Sequence, residues 1–148
     1  MAQVNRDIGG ELGAELSLVE EGFDGAADAN GDPADFSPGA DSGGQFHSGV
    51  ALVIVHDGSA EDDVVVKLEH SDESDSGFED IVDRSGGVFD VELEADADGE
   101  AFGRIDLTNA EIKRYVRAVA TADSDLDTNA DVVVTIVKGG ATNVPVED

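Results

Sequence analysis

The sequence predicts an all-β fold: a single antiparallel β-sandwich of the jelly-roll type, with a long loop or arm near its N-terminus. Three observations predict it. Apolar residues recur at every second position in short segments, the period of a half-buried strand. Clusters of Gly, Pro, Asn and Asp punctuate the chain about every 8–12 residues, dividing it into roughly seven or eight strands. No segment carries a convincing long helical pattern, and no internal repeat is visible. At 148 residues the chain has the size of one domain, able to bury about 70% of the surface its unfolded form exposes. It reads as a tail (1–11), a first strand followed by a long loop (12–49), a core sandwich (50–138) and a C-terminal tail (139–148).

The elements follow in order. "LGAELSLVE" (12–20) alternates, with Leu12, Ala14, Leu16 and Leu18 on one face and Glu15 and Ser17 on the other. Residues 21–49 hold Pro33, Pro38 and most of the Gly and Asp punctuation, and read as an irregular arm that needs a partner to order it. "VALVIVHD" (50–57) is apolar at every position up to His56, so it reads as a strand covered on both faces. "DDVVVKLEHS" (62–71) sends Val64, Val66 and Leu68 one way and Val65, Lys67 and Glu69 the other; a Gly58-Ser59 turn makes it a hairpin partner of 50–57. "SGFEDIVD" (76–83) is a short edge element. "VFDVELEA" (88–95) points Phe89, Val91 and Leu93 inward and Asp90, Glu92 and Glu94 outward. "AFGRIDLT" (101–108) does the same with Ile105 and Leu107 against Arg104 and Asp106. "TNAEI" predicts one capped helical turn. Residues 113–122 and "DVVVTIVK" (131–138) read as two last strands joined by an Asp-rich hairpin.

Charge narrows the function. Thirty-five acidic residues face 8 basic ones, for a net charge of −27. Such a surface lacks the positive face that nucleic acid requires. Forty per cent of residues are apolar and grouped in strands, so the charge does not signal disorder. It calls instead for molar salt, where the Debye length falls to about 3 Å and self-repulsion is screened. The excess of Asp, the scarcity of Lys and the many small residues fit a halophilic protein. There is no cysteine, hence no disulfide. No apolar run reaches the roughly 20 residues of a membrane span, and "MAQVNRDIGGELG" lacks the basic-then-apolar order of a secretory signal.

Chemistry-bearing patterns are weak. In "DSDLDTNAD" (123–131), Asp123, Asp125 and Asp127 have the alternate spacing of calcium-loop ligands, without the glycine and glutamate that complete such a loop. "DANGDPAD" (28–35) matches as partially, through Asp28, Asn30 and Asp32. In so acidic a chain both read as solvated turns, with the first three aspartates kept as candidate metal ligands. His47, His56 and His70 are the only histidines, and strand ends explain their positions better than zinc does. There is no G-x-S-x-G elbow, phosphate loop or dinucleotide fingerprint. No enzyme activity, catalytic residue or cofactor is expected, and salt cations are the candidate small ligands.

One cluster runs against the charge. "IKRYVR" places Lys113, Arg114 and Arg117 within five residues on a strand. Arg114 and Arg117 point to opposite faces, so this is no one-sided basic patch. Each is expected to pair with acids on neighbouring strands, such as Asp90 or Glu92. The sharper alternative is that Arg114, Tyr115 or Arg117 reaches an acidic neighbouring subunit, where a guanidinium pairs well with carboxylate.

The segments "VALVIV", "VVVKLEHSDESDSGFEDI", "LTNAEIKRYVRAVATA" and "ADVVVTIVKG" resemble the cement, or head-decoration, proteins of tailed viruses. The resemblance covers roughly 39–139. It rests on a Gly/Asp-rich entry ("GADSGGQF") into an apolar strand, on a strand ending in Ser71-Asp72 with Phe78 after it, and on the Arg114-Tyr115-Val116-Arg117 strand before a terminal one. It implies a small jelly roll made in the host cytoplasm. This would bind the major capsid protein on the outside of an icosahedral head as a homo-oligomer, dimer or trimer, locking neighbouring capsomers; the acidic surface points to a haloarchaeal virus. Competing readings are a neck or tail structural protein and a cellular binding module. For a carbohydrate module, the lack of Trp and the single Tyr count against it.

Overall fold

The structure, a computed structural model, describes residues 13–37, 48–56, 62–95, 100–108, 110–122, 125, 126 and 128–139. Among the described residues ten strands form in chain order: β1 (Gly13–Phe23), β2 (Ala29–Asn30), β3 (Ala34–Asp35), β4 (Ser48–His56), β5 (Asp62–Ser71), β6 (Glu79–Asp80), β7 (Asp90–Ala95), β8 (Glu100–Asp106), β9 (Tyr115–Thr121) and β10 (Ala130–Gly139). They make two antiparallel sheets. The first runs β1-β10-β4-β8; the second runs β2-β9-β5-β6, with β3 also on β9 and β7 also on β5. Counting β2 with β3 and β6 with β7 as single lanes gives eight lanes, in the orders first-eighth-third-sixth and second-seventh-fourth-fifth. That is a β-sandwich with the wrapped connectivity of a jelly roll.

The core lies between the sheets. Ala51, Val53 and Val55 of β4 and Val132, Val134 and Ile136 of β10 meet Val64, Val66 and Leu68 of β5 and Val116, Ala118 and Ala120 of β9, all 1% exposed or less. The alternation read in 62–71 and 101–108 holds: Val64, Val66 and Leu68 of β5, and Ile105 of β8 with Leu107 just beyond it, are buried. Gly103 on β8 lets the sheets close: a Cβ there would stand 2.9 Å from Val91 Cγ2 and 3.1 Å from Leu93 Cδ2, side chains of β7 in the opposite sheet.

The wrapped topology corrects both expected hairpins. Residues 50–57 and 62–71 do not pair, because β4 lies between β10 and β8 while β5 belongs to the other sheet. Likewise β9 and β10 sit in different sheets. A short connection looks the same in sequence whether the chain turns back within a sheet or crosses to the facing one. Where a helical turn is expected at "TNAEI", the described residues 110–112 form no helix, and the Ala110 N–H donates to the Leu107 carbonyl at 3.0 Å.

The arm is corrected more sharply. Residues 24–37 are part of the sandwich: β2 pairs with Ala120 and Val119, and β3 with Val116 and Tyr115. Between them, Gly31, Asp32 and Pro33 stand opposite only Arg117 and Ala118, a bulge that suits a proline with no N–H to donate. Gly31 is required there, since a Cβ would meet the Ser17 carbonyl at 2.5 Å and the Ala118 carbonyl at 2.9 Å. Phe36 is 1% exposed. The rest of the expected arm, 38–47, lies outside the described residues.

The β1 strand departs from simple alternation too. Its register on β10 shifts between Leu16 and Leu18. Ser17 is left out of the ladder and turned inward, where its hydroxyl donates to the Asp32 carbonyl at 2.9 Å and accepts the Ala118 N–H at 3.0 Å. This buried bridge ties the first sheet to β9 of the second. As a result Leu18 is buried at 4% exposure while Leu16 turns outward at 56%, contrary to the expected shared face.

Candidate interaction surfaces

The two outer faces of the sandwich differ in kind. On the second sheet, β9 lies inside its sheet, between the arm strands and β5, and its basic cluster is knitted to acids of the same chain. Arg117 donates from Nε and Nη2 to Glu69 Oε1 at 2.9 and 2.7 Å, and its guanidinium lies 4.2 Å from the centre of the Phe78 ring. Lys67 sits 3.3 Å from Glu69 Oε2 and 2.8 Å from Asp80 Oδ1. The bond to Asp80 raises the Lys67 pKa, with burial opposing and Glu69 assisting. Arg114 makes a bidentate pair with Asp35, both distances 3.0 Å, and its guanidinium lies 5.1 Å from the Tyr115 ring centre. Burial pushes the Asp35 pKa up, but the Arg114 bonds, the Ser37 N–H and the charges of Arg114 and Lys138 together hold it below the ordinary value. Lys113 pairs with Glu79. The partners are therefore Asp35 and Glu69 rather than Asp90 or Glu92. Register decides this: Arg117 stands opposite Glu69 on β5, whereas Asp90 and Glu92 stand on β7, on the far side of β5.

His70 anchors the end of this face. It is 9% exposed, its Nδ1 accepts the Lys113 N–H at 3.1 Å, and burial, helped by the Lys113 charge, pushes its pKa down. It acts as a neutral structural acceptor. Among the described residues no three His, Asp or Glu side chains converge as a metal group would. Asp125 is exposed on the connection from β9 to β10; Asp123 and Asp127, the other candidate ligands there, lie outside the described residues.

The more deeply set arginine pair separates from the more open one in energy. The side chains of Arg117 and Glu69 are 23% and 12% exposed, those of Arg114 and Asp35 40% and 27%. Arg117→Gln strands a half-buried carboxylate with only Lys67 beside it, an expected loss of about 1–3 kcal/mol. Arg114→Gln is expected to lose less than about 1 kcal/mol. Urea unfolding at fixed high salt measures both, and an equal loss from the two would show that burial does not rank them.

The outer face of the first sheet is apolar at its centre, with its charges at the edge and ends. Register sets its rows. Val19, Val133, Ile54 and Phe102 lie side by side across β1, β10, β4 and β8; Leu16, Thr135, Leu52 and Arg104 form the next row; Ala14, Val137, Val50 and Asp106 form the third. Leu16, Val19, Leu52 and Phe102 are 56%, 52%, 46% and 67% exposed, four of the six large hydrophobic residues exposed among the described ones. His56, Asp131 and Glu100 close one end of the face. The expectation that residues 50–57 are covered on both faces is therefore corrected: Ala51, Val53 and Val55 are buried, but Leu52 is open to solvent. This surface was missed in the sequence. Its signal was present in two strands, 50–55 and 132–137, that are apolar or Thr at every position.

No family model and no curated protein matches the chain. Among solved structures, the chain is similar to "PBSX exported protein XepA", at 14% identity and a TM-score of 0.52. That likeness covers all of this chain and 43% of the other, so the chain spans less than half the length of that protein and shares its fold over that part. Slighter likenesses are to "SPBc2 prophage-derived protein YomS" (12% identity, TM-score 0.45, 88% of this chain and 94% of that one) and to the Tobacco streak virus coat protein (15% identity, TM-score 0.37, 100% and 96%).

Proposed function

We propose that this protein is a structural, non-catalytic component of a virion, a decoration protein on the head of a tailed virus of haloarchaea. The observation that carries the reading is the apolar centre of the first sheet's outer face, with exposed Leu16, Val19, Leu52 and Phe102, on a molecule of charge −27. A contiguous exposed apolar patch of this kind marks a macromolecular contact. It spans four strands, which suits a protein surface better than a small substrate. The jelly-roll connectivity supports the same reading, as does the resemblance of 39–139 to cement proteins. In this role the protein joins the major capsid protein from outside and strengthens contacts between capsomers, while its acidic remainder faces brine.

The test is particle composition and rescue. Purified virions, kept at molar salt, should contain the protein in many copies spread over the head. Heads stripped of it should lose resistance to heating and regain it when the recombinant protein is added back. Absence from particles, or a single ring of copies at the neck, overturns the reading.

A further inference from the structure

We infer that the outer face of the β1-β10-β4-β8 sheet is a self-association surface, on which two copies pack face to face about a two-fold axis. This deepens the virion reading, which calls for self-association, by naming the face and its occupant, and it rests on that reading only for its biological use. Electrostatics selects the occupant. The other sheet face presents Asp63, Asp80, Asp90, Glu92 and Glu94 around its few cations, so two copies meeting there would repel. The first sheet offers three rows free of acids except Asp106 at one corner. A second copy presents the same rows. A two-fold meeting therefore buries apolar against apolar and brings no acidic cluster into the centre.

Size agrees. Strands about 4.8 Å apart with rows about 7 Å apart make the three rows, with Arg104 and Asp106 at their edge, roughly 20 by 20 Å, or ~400 Å² in plan, and the full four-strand face ~600 Å². That is of the same order as the ~800 Å² per partner of a standard interface. The layout is that of an interface, apolar at the centre with Arg104, Asp106, His56, Asp131 and Glu100 as a polar rim. Phe102 and Leu52, projecting from adjacent strands, are the anchors: an exposed aromatic and an exposed aliphatic side chain that a facing sheet about 10 Å away would enclose.

The experiment uses the full chain alone, at molar salt, without capsids. Sedimentation equilibrium of the unsubstituted protein should give a concentration-dependent dimer mass. Leu52→Glu and Phe102→Glu should each weaken dimerisation by about 30-fold or more, the loss of an interface anchor. Both side chains are exposed in the monomer, so circular dichroism should be unchanged. Val82→Glu, at a residue 46% exposed but outside this face, should leave the dimer intact. A monomer at every concentration overturns the inference whatever the variants do. So does a dimer that survives both Glu substitutions, or one that Arg114→Gln or Arg117→Gln dissolves instead, which would place the contact on the β9 strand. Because no capsid is present, failure here leaves the virion reading standing, and failure of head binding leaves the dimer standing.

Discussion

Dilution from about 3 M to about 0.1 M potassium chloride is expected to unfold the protein, with loss of its far-ultraviolet β signal. The Debye length grows from under about 3 Å to about 10 Å over that range. Charges that do not sense each other in brine then interact across whole strands. The structure shows where the strain falls. Asp63 on β5 stands directly opposite Glu94 on β7, both exposed, and like charges in that position destabilise a sheet. The cations of the second sheet are committed to Glu69, Asp80, Glu79 and Asp35, all away from that end. The net excess of 27 negative charges acts on a fold whose total stability is on the order of 5–15 kcal/mol. Hydrogen exchange during the titration should show the Asp63–Glu94 end of β5 and β7 opening first. A full β spectrum in dilute buffer would refute the salt dependence.

Phe36→Ala is expected to cost about 3–5 kcal/mol and to lower the melting temperature at fixed high salt by on the order of 10–15 °C. The ring is wholly enclosed and packs over Gly49, where an added Cβ would stand only 3.2 Å from Phe36 Cζ. The peptide unit that joins Asp35 to Phe36 is clamped at both its polar groups: the Phe36 N–H donates to the Arg114 carbonyl at 2.7 Å, and the buried Lys138 Nζ donates to the Asp35 carbonyl at 3.0 Å. Truncation thus leaves a cavity that the clamped backbone cannot collapse to fill. If residues 24–37 were a loose arm ordered only by a partner, the same substitution would change stability by less than about 0.5 kcal/mol. Thermal unfolding followed by circular dichroism decides between the two.

Phe36 also shows why the arm was hard to read. Gly, Pro and Asp are frequent in loops because they favour turns, but the same residues fit short strands broken by a bulge. "ANGDPAD" makes two two-residue ladders on β9 with Gly31 and Pro33 in the bulge. Composition registers the punctuation and not the ladder. A single apolar residue beyond it, Phe36, was the local sign that the segment returns to the core.

What the sequence determined by itself is the class of fold and most of the inward-facing residues. Alternation is written in each strand separately: Val64, Val66 and Leu68, or Ile105 and Leu107, fall inside because every second side chain of a strand shares a face. The acidic surface, too, is a property of composition alone. What only the tertiary structure decided is partnership. Which strand lies beside which depends on contacts distant in sequence, so the expected pairing of 50–57 with 62–71 gave way to β10 and β8, and Arg117 found Glu69 rather than Asp90. The bulge at Ser17 turned Leu16 outward because its hydroxyl is held by Asp32 and Ala118, residues brought there from another sheet. And a strand apolar on both sides cannot state which side the chain itself covers. The sandwich covered one side of β4 and left Leu52 and Ile54 beside Phe102, Val133 and Leu16 on its outer face.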